Sequence, residues 1–191
     1  MTVLVTYGSA RGGTEGLARM VADGLREEGR TAEVVEARQA RRLGDYEAVV
    51  VGGALYAGRW HRDARRFVAR HRGELRRVPT YFFSSGPLDE SAAGGTIDPV
   101  PGVRKLMDRV GAREHVTFGG RLSPDAKGFP ASAMAKKRSG DWRDPGQVRS
   151  WAHEVATDLR SARGPGDAAA RGPDGATAGR PDGRPGATDG C

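Results

Sequence analysis

Short apolar runs alternate with amphipathic stretches along the first 160 residues of the chain. The runs are rich in Val, Phe and Tyr, which is typical of strands buried in a parallel sheet. Five strands are predicted, at residues 3–7, 31–36, 48–52, 78–84 and 116–118. The other stretches place apolar residues at spacings of three and four, which predicts amphipathic helices. These helices are predicted to begin near residue 13 and to cover residues 63–75, 103–110 and 145–159.

Strands that alternate with helices form a parallel sheet covered on both faces, because crossover connections are right-handed. The sequence therefore predicts a three-layer α/β fold with five strands in the order 2-1-3-4-5, since the polar second strand suits an edge. Ligands of such sheets bind beyond the carboxyl ends of the strands, where the order reverses. The loops predicted to meet there cover residues 9–14, 53–60 and 84–88. An excursion over residues 121–140 is predicted to be partly helical around residues 131–137.

The loop after the first strand carries the first candidate site. Its residues are Ser9, Ala10, Arg11, Gly12, Gly13 and Thr14. Where a strand ends and a helix begins, unpaired N–H groups and the helix dipole attract an anion such as a phosphate. Ser9 and Thr14 add hydroxyl groups, and Arg11 adds a positive charge. The alternative is an ordinary turn that binds nothing.

Length and composition limit the class of protein. The chain has 191 residues, a net charge of +7 and a single cysteine, Cys191. One cysteine excludes an internal disulfide and a multi-cysteine metal site. Because neither cystines nor an export signal is evident, we expect a cytoplasmic protein. Residues 161–191 have almost no apolar bulk, so a disordered tail is predicted after a domain of residues 1–160.

Arginines are concentrated between Arg59 and Arg77, whereas the tail holds equal numbers of Arg and Asp. A basic surface attracts nucleic acid, anionic lipid or an acidic small molecule. A solvated helix face in an arginine-rich chain is the plainer alternative, and we favour it. Trp60 and Phe67 are the only aromatic residues in this stretch, too few to stack bases, so no nucleic-acid partner is predicted.

Single residues exclude several classes with this architecture. A receiver domain needs acidic residues after the first and third strands, where the chain has Gly8-Ser9 and Gly52-Gly53. A P-loop needs a lysine that loop 9–14 lacks, and a Gly-x-Gly-x-x-Gly dinucleotide fingerprint is missing. The four histidines are scattered, so no metal site is predicted. No nucleophile elbow is present, and no catalytic residue is assigned, since a lone His61 is more often structural.

Ser9, Gly12 and Thr14 match the first phosphate loop of the flavodoxin family, Ser/Thr-x-Thr-Gly-x-Thr, although Arg11 replaces the usual Thr. Residues 52–61, Gly-Gly-Ala-Leu-Tyr-Ala-Gly-Arg-Trp-His, resemble the second loop of the menaquinone-dependent protoporphyrinogen dehydrogenases, a subgroup of flavodoxin domains. The Gly-Gly-Arg-Leu run that begins at residue 119 and the excursion before the last helix also resemble that subgroup. The resemblance covers about residues 1–160.

The resemblance implies a flavodoxin-like fold with FMN as the cofactor, whose phosphate would be held by the loop at residues 9–14. The residues that would flank the isoalloxazine ring are Ala54, Leu55, Tyr56, Ala57, Gly58, Ser85, Gly86, Pro87 and Leu88. Tyr56 and Trp60 are the candidates to stack on the ring, with ordinary packing as the alternative. The third loop offers no aromatic residue, so one face of the flavin would be open to a substrate or a quinone.

Two functions remain open. The favoured one is an FMN-dependent oxidoreductase that removes hydrogen from protoporphyrinogen, an anionic tetrapyrrole of heme biosynthesis, and passes electrons to a quinone. The basic stretch could then attract propionate groups or the inner face of a membrane. The other is a flavodoxin-type electron carrier with a redox-protein partner, although such carriers are usually acidic. A chain that has lost flavin binding is a third, lower-ranked alternative.

Overall fold

The computed structural model describes residues 2–10, 12–89, 97–124 and 139–162. Its strands are β1 (Thr2–Gly8), β2 (Thr31–Glu36), β3 (Tyr46–Tyr56), β4 (Arg59–Trp60), β5 (Thr80–Ser85), β6 (Glu114–Phe118), β7 (Arg121–Leu122) and β8 (Gly140–Asp141). Its helices are α1 (Gly13–Glu27), α2 (Arg62–Arg70), α3 (Arg72–Leu75), α4 (Pro101–Val110) and α5 (Pro145–Ser161).

Five parallel strands form the central sheet in the order β2-β1-β3-β5-β6, which confirms the predicted order 2-1-3-4-5. In the middle of the sheet, Val5 of β1 lies opposite Val34 of β2 and Val50 of β3. Strands at the centre of such a sheet are buried on both faces, which is why β1 and β3 are mostly apolar. A sixth strand, β4, pairs with the end of β3 and runs antiparallel to it.

The two faces of the sheet bury separate apolar layers. One layer packs α1 and α5 against residues such as Val5 of β1. The other packs α2, α3 and α4 against residues such as Leu4, which points to the opposite face. Helices α1 and α5 cross closely, because a Cβ on Gly24 would lie only 2.7 Å from the Cβ of Ala152. The domain is thus the three-layer sandwich that the sequence predicted.

The third strand is longer than predicted. It continues to Tyr56, whereas the sequence indicated an end at residue 52 and a loop over residues 53–60. Gly52 and Gly53 lie inside the strand. The ring of Phe83 lies directly over Gly52 and that of Trp60 over Gly53, so neither position has room for a side chain. The glycine pair therefore marks close packing and not the end of the strand.

The predicted helix over residues 63–75 is two helices, α2 and α3, which meet at His71. His71 is buried on the inner face, as predicted, and its Nδ1 lies 2.6 Å from Oε2 of Glu74. Within the described ranges, no group of three or more His, Cys, Asp or Glu side chains is arranged to hold a metal ion.

The last helix, α5, begins as predicted. Pro145 is its first residue, and Oδ1 of Asp144 accepts a hydrogen bond from the Gly146 N–H at 2.8 Å. The excursion before it contains a two-stranded antiparallel ribbon of β7 and β8. The predicted helix around residues 131–137 and residues 163–191 of the predicted tail lie outside the described residues. No helix in the described ranges is long and apolar enough to cross a membrane.

Candidate functional site

The carboxyl ends of β1, β3 and β5 lie side by side at one edge of the sheet. Gly8, the last residue of β1, pairs with Gly53, and the next residue, Ala54, pairs with Ser85 at the end of β5. The chain leaves the sheet after each of these strands toward the same side. The structure therefore places all three predicted loops at the edge where the strand order reverses.

The first loop ends at Gly12, whose φ of 75° is left-handed and favours glycine. A Cβ on Gly12 would meet no atom within 4 Å, so the space outside this residue is open. The residue before α1 is Gly12, which has no side chain to cap the first turn, and N–H groups at the start of a helix attract an anion. Thr14 is buried in that turn, whereas Ser9 is partly buried and Ala10 is exposed. Arg11 lies outside the described residues.

The second loop is a tight hairpin. Tyr56 pairs with Arg59 across a two-residue turn of Ala57, with φ 47°, and Gly58, with φ 70°. Two successive positive φ angles are those of a type I′ turn, which matches the twist of the strands it joins. Tyr56 is 40% exposed, and no other large hydrophobic side chain of the described residues is exposed. Its ring is accessible beside the turn, as a ring-stacking residue must be.

Trp60 packs in the core. Its side chain is only 2% exposed, and its ring centroid lies 4.8 Å from that of Phe82. Its indole Nε1 donates a hydrogen bond to Oγ of Ser84 at 2.8 Å, and the same Oγ lies 2.8 Å from Nε2 of His115. The ring of Trp60 is therefore not available to stack on a flavin. The structure supports the alternative for this residue, which was ordinary packing.

A cleft of about 440 Å³ opens between the second and third loops. Clefts of this size accommodate small ligands and cofactors. Its walls include five residues that were predicted to flank a flavin, namely Leu55, Gly58, Gly86, Pro87 and Leu88. Ala54 and Ser85 are buried in the ends of β3 and β5 and do not line it. Tyr56 and Ala57 lie at the exposed hairpin tip, and the loop at residues 9–14 lies at the same sheet edge outside the walls.

A ribbon with two arginines lies beside the start of α1, and the sequence did not indicate it as part of the site. A Cβ on Gly13 would lie 3.4 Å from the carbonyl oxygen of Arg121 in β7. The guanidinium group of Arg143, just after β8, lies directly over Gly16 in α1. Both arginines face Asp141, and its hydrogen bonds with Arg143 hold the pKa of Asp141 below its usual range. The glycine pair before β7 was no signal for this contact, because Gly119 packs against Trp142 and Gly120 against Gly86.

The pKa of His115 gives the first testable prediction. Burial lowers it to about 4, with a smaller contribution from Arg104, and Nδ1 is buried without a hydrogen-bond partner among the described residues. An unfolded imidazole binds a proton below about pH 6.5, whereas the folded one does so only near pH 4. The stability held by neutral His115 is therefore lost as the pH falls, by about 2 kcal/mol between pH 7 and pH 5.

Urea denaturation at pH 7 and pH 5 measures this loss. His115→Gln keeps a hydrogen-bonding side chain beside Ser84 but cannot titrate in this range. Between pH 7 and pH 5, we therefore expect the variant to lose about 2 kcal/mol less of its free energy of unfolding than the parent loses. Equal losses in both proteins would show that His115 does not hold its neutral form in the fold.

The 2-1-3-4-5 parallel sheet covered by helices on both faces is that of a doubly wound α/β protein, and the start of α1 and the cleft at its switch point are the candidate site. A family model described as a flavodoxin domain matches residues 4–129. Because this match covers well over half of the chain, the chain belongs to the flavodoxin-domain family. No curated protein matches it in sequence.

Solved structures share the fold at low sequence identity. The chain is similar to rubredoxin oxygen:oxidoreductase from Desulfovibrio gigas, with a TM-score of 0.58 and 17% identity over 85% of this chain, and spans 37% of the length of that protein. It is also similar to a flavodoxin from the domain Archaea, with a TM-score of 0.55 and 12% identity. A mutant flavodoxin from Pseudomonas aeruginosa is similar with a TM-score of 0.55 and 19% sequence identity. Both flavodoxin matches cover 84% of this chain and 99% of the other.

FMN is the cofactor of flavodoxin domains, and members of the family transfer electrons to redox partners. The residues present fit such a molecule. A phosphate needs backbone N–H donors that side chains leave accessible. The start of α1 provides them, because the residue before it, Gly12, has no side chain. A planar ring needs a largely apolar cleft, and Leu55, Pro87 and Leu88 form one at the same edge.

Proposed function

We propose that this chain is an FMN-dependent oxidoreductase whose cofactor lies within a domain of residues 1–160. The observation that carries the proposal is the cleft of about 440 Å³ between the second and third loops, at the same sheet edge as the uncapped start of α1. This arrangement suits a mononucleotide, whose phosphate and ring need two adjoining places. FMN supplies hydride and electron chemistry when bound, and the chain binds the ring, orients it and excludes water from it.

The roles of individual residues follow from this placement. The phosphate is proposed to contact the backbone of residues 9–14, where Gly12 leaves the first-turn N–H groups of α1 uncovered. The ring is proposed to lie between Leu55 and Gly58 of the hairpin and Pro87 and Leu88 of the third loop. These positions are mostly apolar, so they bury the ring and leave its polar edge to backbone groups.

The substrate side of the proposal rests on the surroundings of the cleft. The third loop has no aromatic residue, so a second molecule could approach one face of the ring. Arg59 is exposed directly after the cleft residue Gly58 and could pair with an anionic group. We propose a tetrapyrrole such as protoporphyrinogen as the hydrogen donor and a quinone as the electron acceptor, as the resemblance to protoporphyrinogen dehydrogenases implies.

A flavodoxin-type electron carrier is the second candidate, and one observation favours it. Tyr56 is 40% exposed at the tip of the hairpin, beside the cleft. Exposed aromatic residues are enriched where proteins contact each other. A carrier would use this tip to contact a redox-protein partner and would turn over no small-molecule substrate.

Flavin binding by the purified full-length chain tests the proposal. We expect a yellow protein, or a colourless one that binds added FMN and quenches its fluorescence. Anaerobic assays with protoporphyrinogen and a menaquinone analogue then separate the candidates, because an enzyme consumes the tetrapyrrole and a carrier does not. A chain that ignores added FMN would overturn both candidates and indicate a domain that has lost flavin binding.

A further inference from the structure

The ribbon of β7 and β8 brings a partly unpaired arginine to the start of α1. Arg121 contacts Gly13, the first residue of α1, so closely that a Cβ on Gly13 would lie 3.4 Å from the Arg121 carbonyl oxygen and 3.6 Å from its Cβ. The side chain of Arg121 is 53% exposed. It therefore projects into solvent from a point beside the proposed phosphate loop.

The neighbouring carboxylate does not neutralise this arginine. Asp141 accepts two hydrogen bonds from the side chain of Arg143, with Nε to Oδ1 at 2.7 Å and a second guanidinium N–H to Oδ2 at 2.5 Å. Arg143 is only 11% exposed, so this bidentate pair is partly shielded from solvent. Arg121 reaches Asp141 only at 3.9 Å and makes no hydrogen bond through its side chain to any described residue. The cluster therefore keeps one positive charge beyond what its single carboxylate balances.

We propose that Arg121 binds the phosphate of FMN, so that the β7–β8 ribbon forms one wall of the phosphate site. The inference rests on the proposed function, because it takes the loop at residues 9–14 as the place of the phosphate. A phosphate monoester carries nearly two negative charges at pH 7. Backbone N–H groups supply only partial positive charge, whereas a guanidinium group supplies a full charge and paired donors in a geometry that matches phosphate oxygens.

Ligand affinity tests this role, measured by fluorescence titration of the full-length protein with FMN and with riboflavin, which lacks the phosphate. We expect Arg121→Gln to weaken FMN binding about ten-fold and to change riboflavin binding less than about two-fold. Arg121→Lys keeps the charge but loses the paired donors, so its affinity for FMN should lie between those of the parent and Arg121→Gln. The difference between the parent and Arg121→Gln should shrink from pH 7.5 to pH 5, since the phosphate loses its second charge near pH 6.

Arg149→Gln is the matched control. Arg149 is 62% exposed and pairs with Glu27 at 3.0 Å, on the far part of α1. The Arg149→Gln variant loses the same charge far from the proposed phosphate loop, so its affinity for FMN should change less than about two-fold. Arg121→Gln with parental FMN affinity, or with equal losses for FMN and riboflavin, would overturn the role of Arg121. A parent protein that binds neither flavin would instead overturn the proposed function.

Discussion

Replacing Gly12 by aspartate is expected to weaken FMN binding by at least about 100-fold. The new carboxylate would lie beside the first-turn N–H groups of α1, where it repels a phosphate and competes for the same donors. The positive φ of 75° at this position adds backbone strain of about 1 kcal/mol, too little to unfold a typical domain. Titration with FMN, followed by flavin fluorescence, measures the loss of affinity.

Gly29 offers the control for that variant. It has a φ of 73°, and a Cβ there would meet no atom within 4 Å, but it lies beyond the opposite end of α1. Gly29→Asp therefore adds a similar strain and the same charge without approaching the loop at residues 9–14. FMN affinity should stay within about three-fold of the parent. Similar losses in both variants would remove the argument that the phosphate lies at Gly12.

The second large effect is expected on stability, from Gly53→Ala. The added methyl group would lie 2.5 Å from two ring carbons of Trp60, which is 2% exposed and cannot move without disturbing Phe82. Displacing the indole would also break its hydrogen bond to Ser84. We expect the free energy of unfolding to fall by about 3 kcal/mol, from overpacking and the lost bond together. Urea denaturation of the flavin-free protein measures it.

Gly102→Ala serves as the control for overpacking. Gly102 lies in the first turn of α4, and a Cβ there would meet no atom within 4 Å. Alanine is favoured over glycine in helices, so this variant should be as stable as the parent or more stable by up to about 1 kcal/mol. A Gly53→Ala protein that unfolds at the parental urea concentration would mean that Trp60 is free to move.

The sequence predicted the sheet and much of the site because both follow from local patterns. Continuous valines marked β3 as a central strand, and the polar β2 was placed at the edge, where the structure has it. The glycine pair at residues 52 and 53 of β3 was misleading. They suggested a loop, since glycine is unfavourable within a strand, and only the rings of Phe83 and Trp60 packed over them explain why the strand continues.

By itself the sequence determined the order of the strands, the loops that meet at their carboxyl ends and the glycine-rich start of α1. These features depend on side-chain spacing and backbone freedom, which neighbouring residues set. The tertiary structure alone decided that Trp60 lies in the core and that Arg121 lies against Gly13. The physical reason is that such contacts join residues far apart along the chain, and their distances are set by how the helices and the ribbon pack on the sheet.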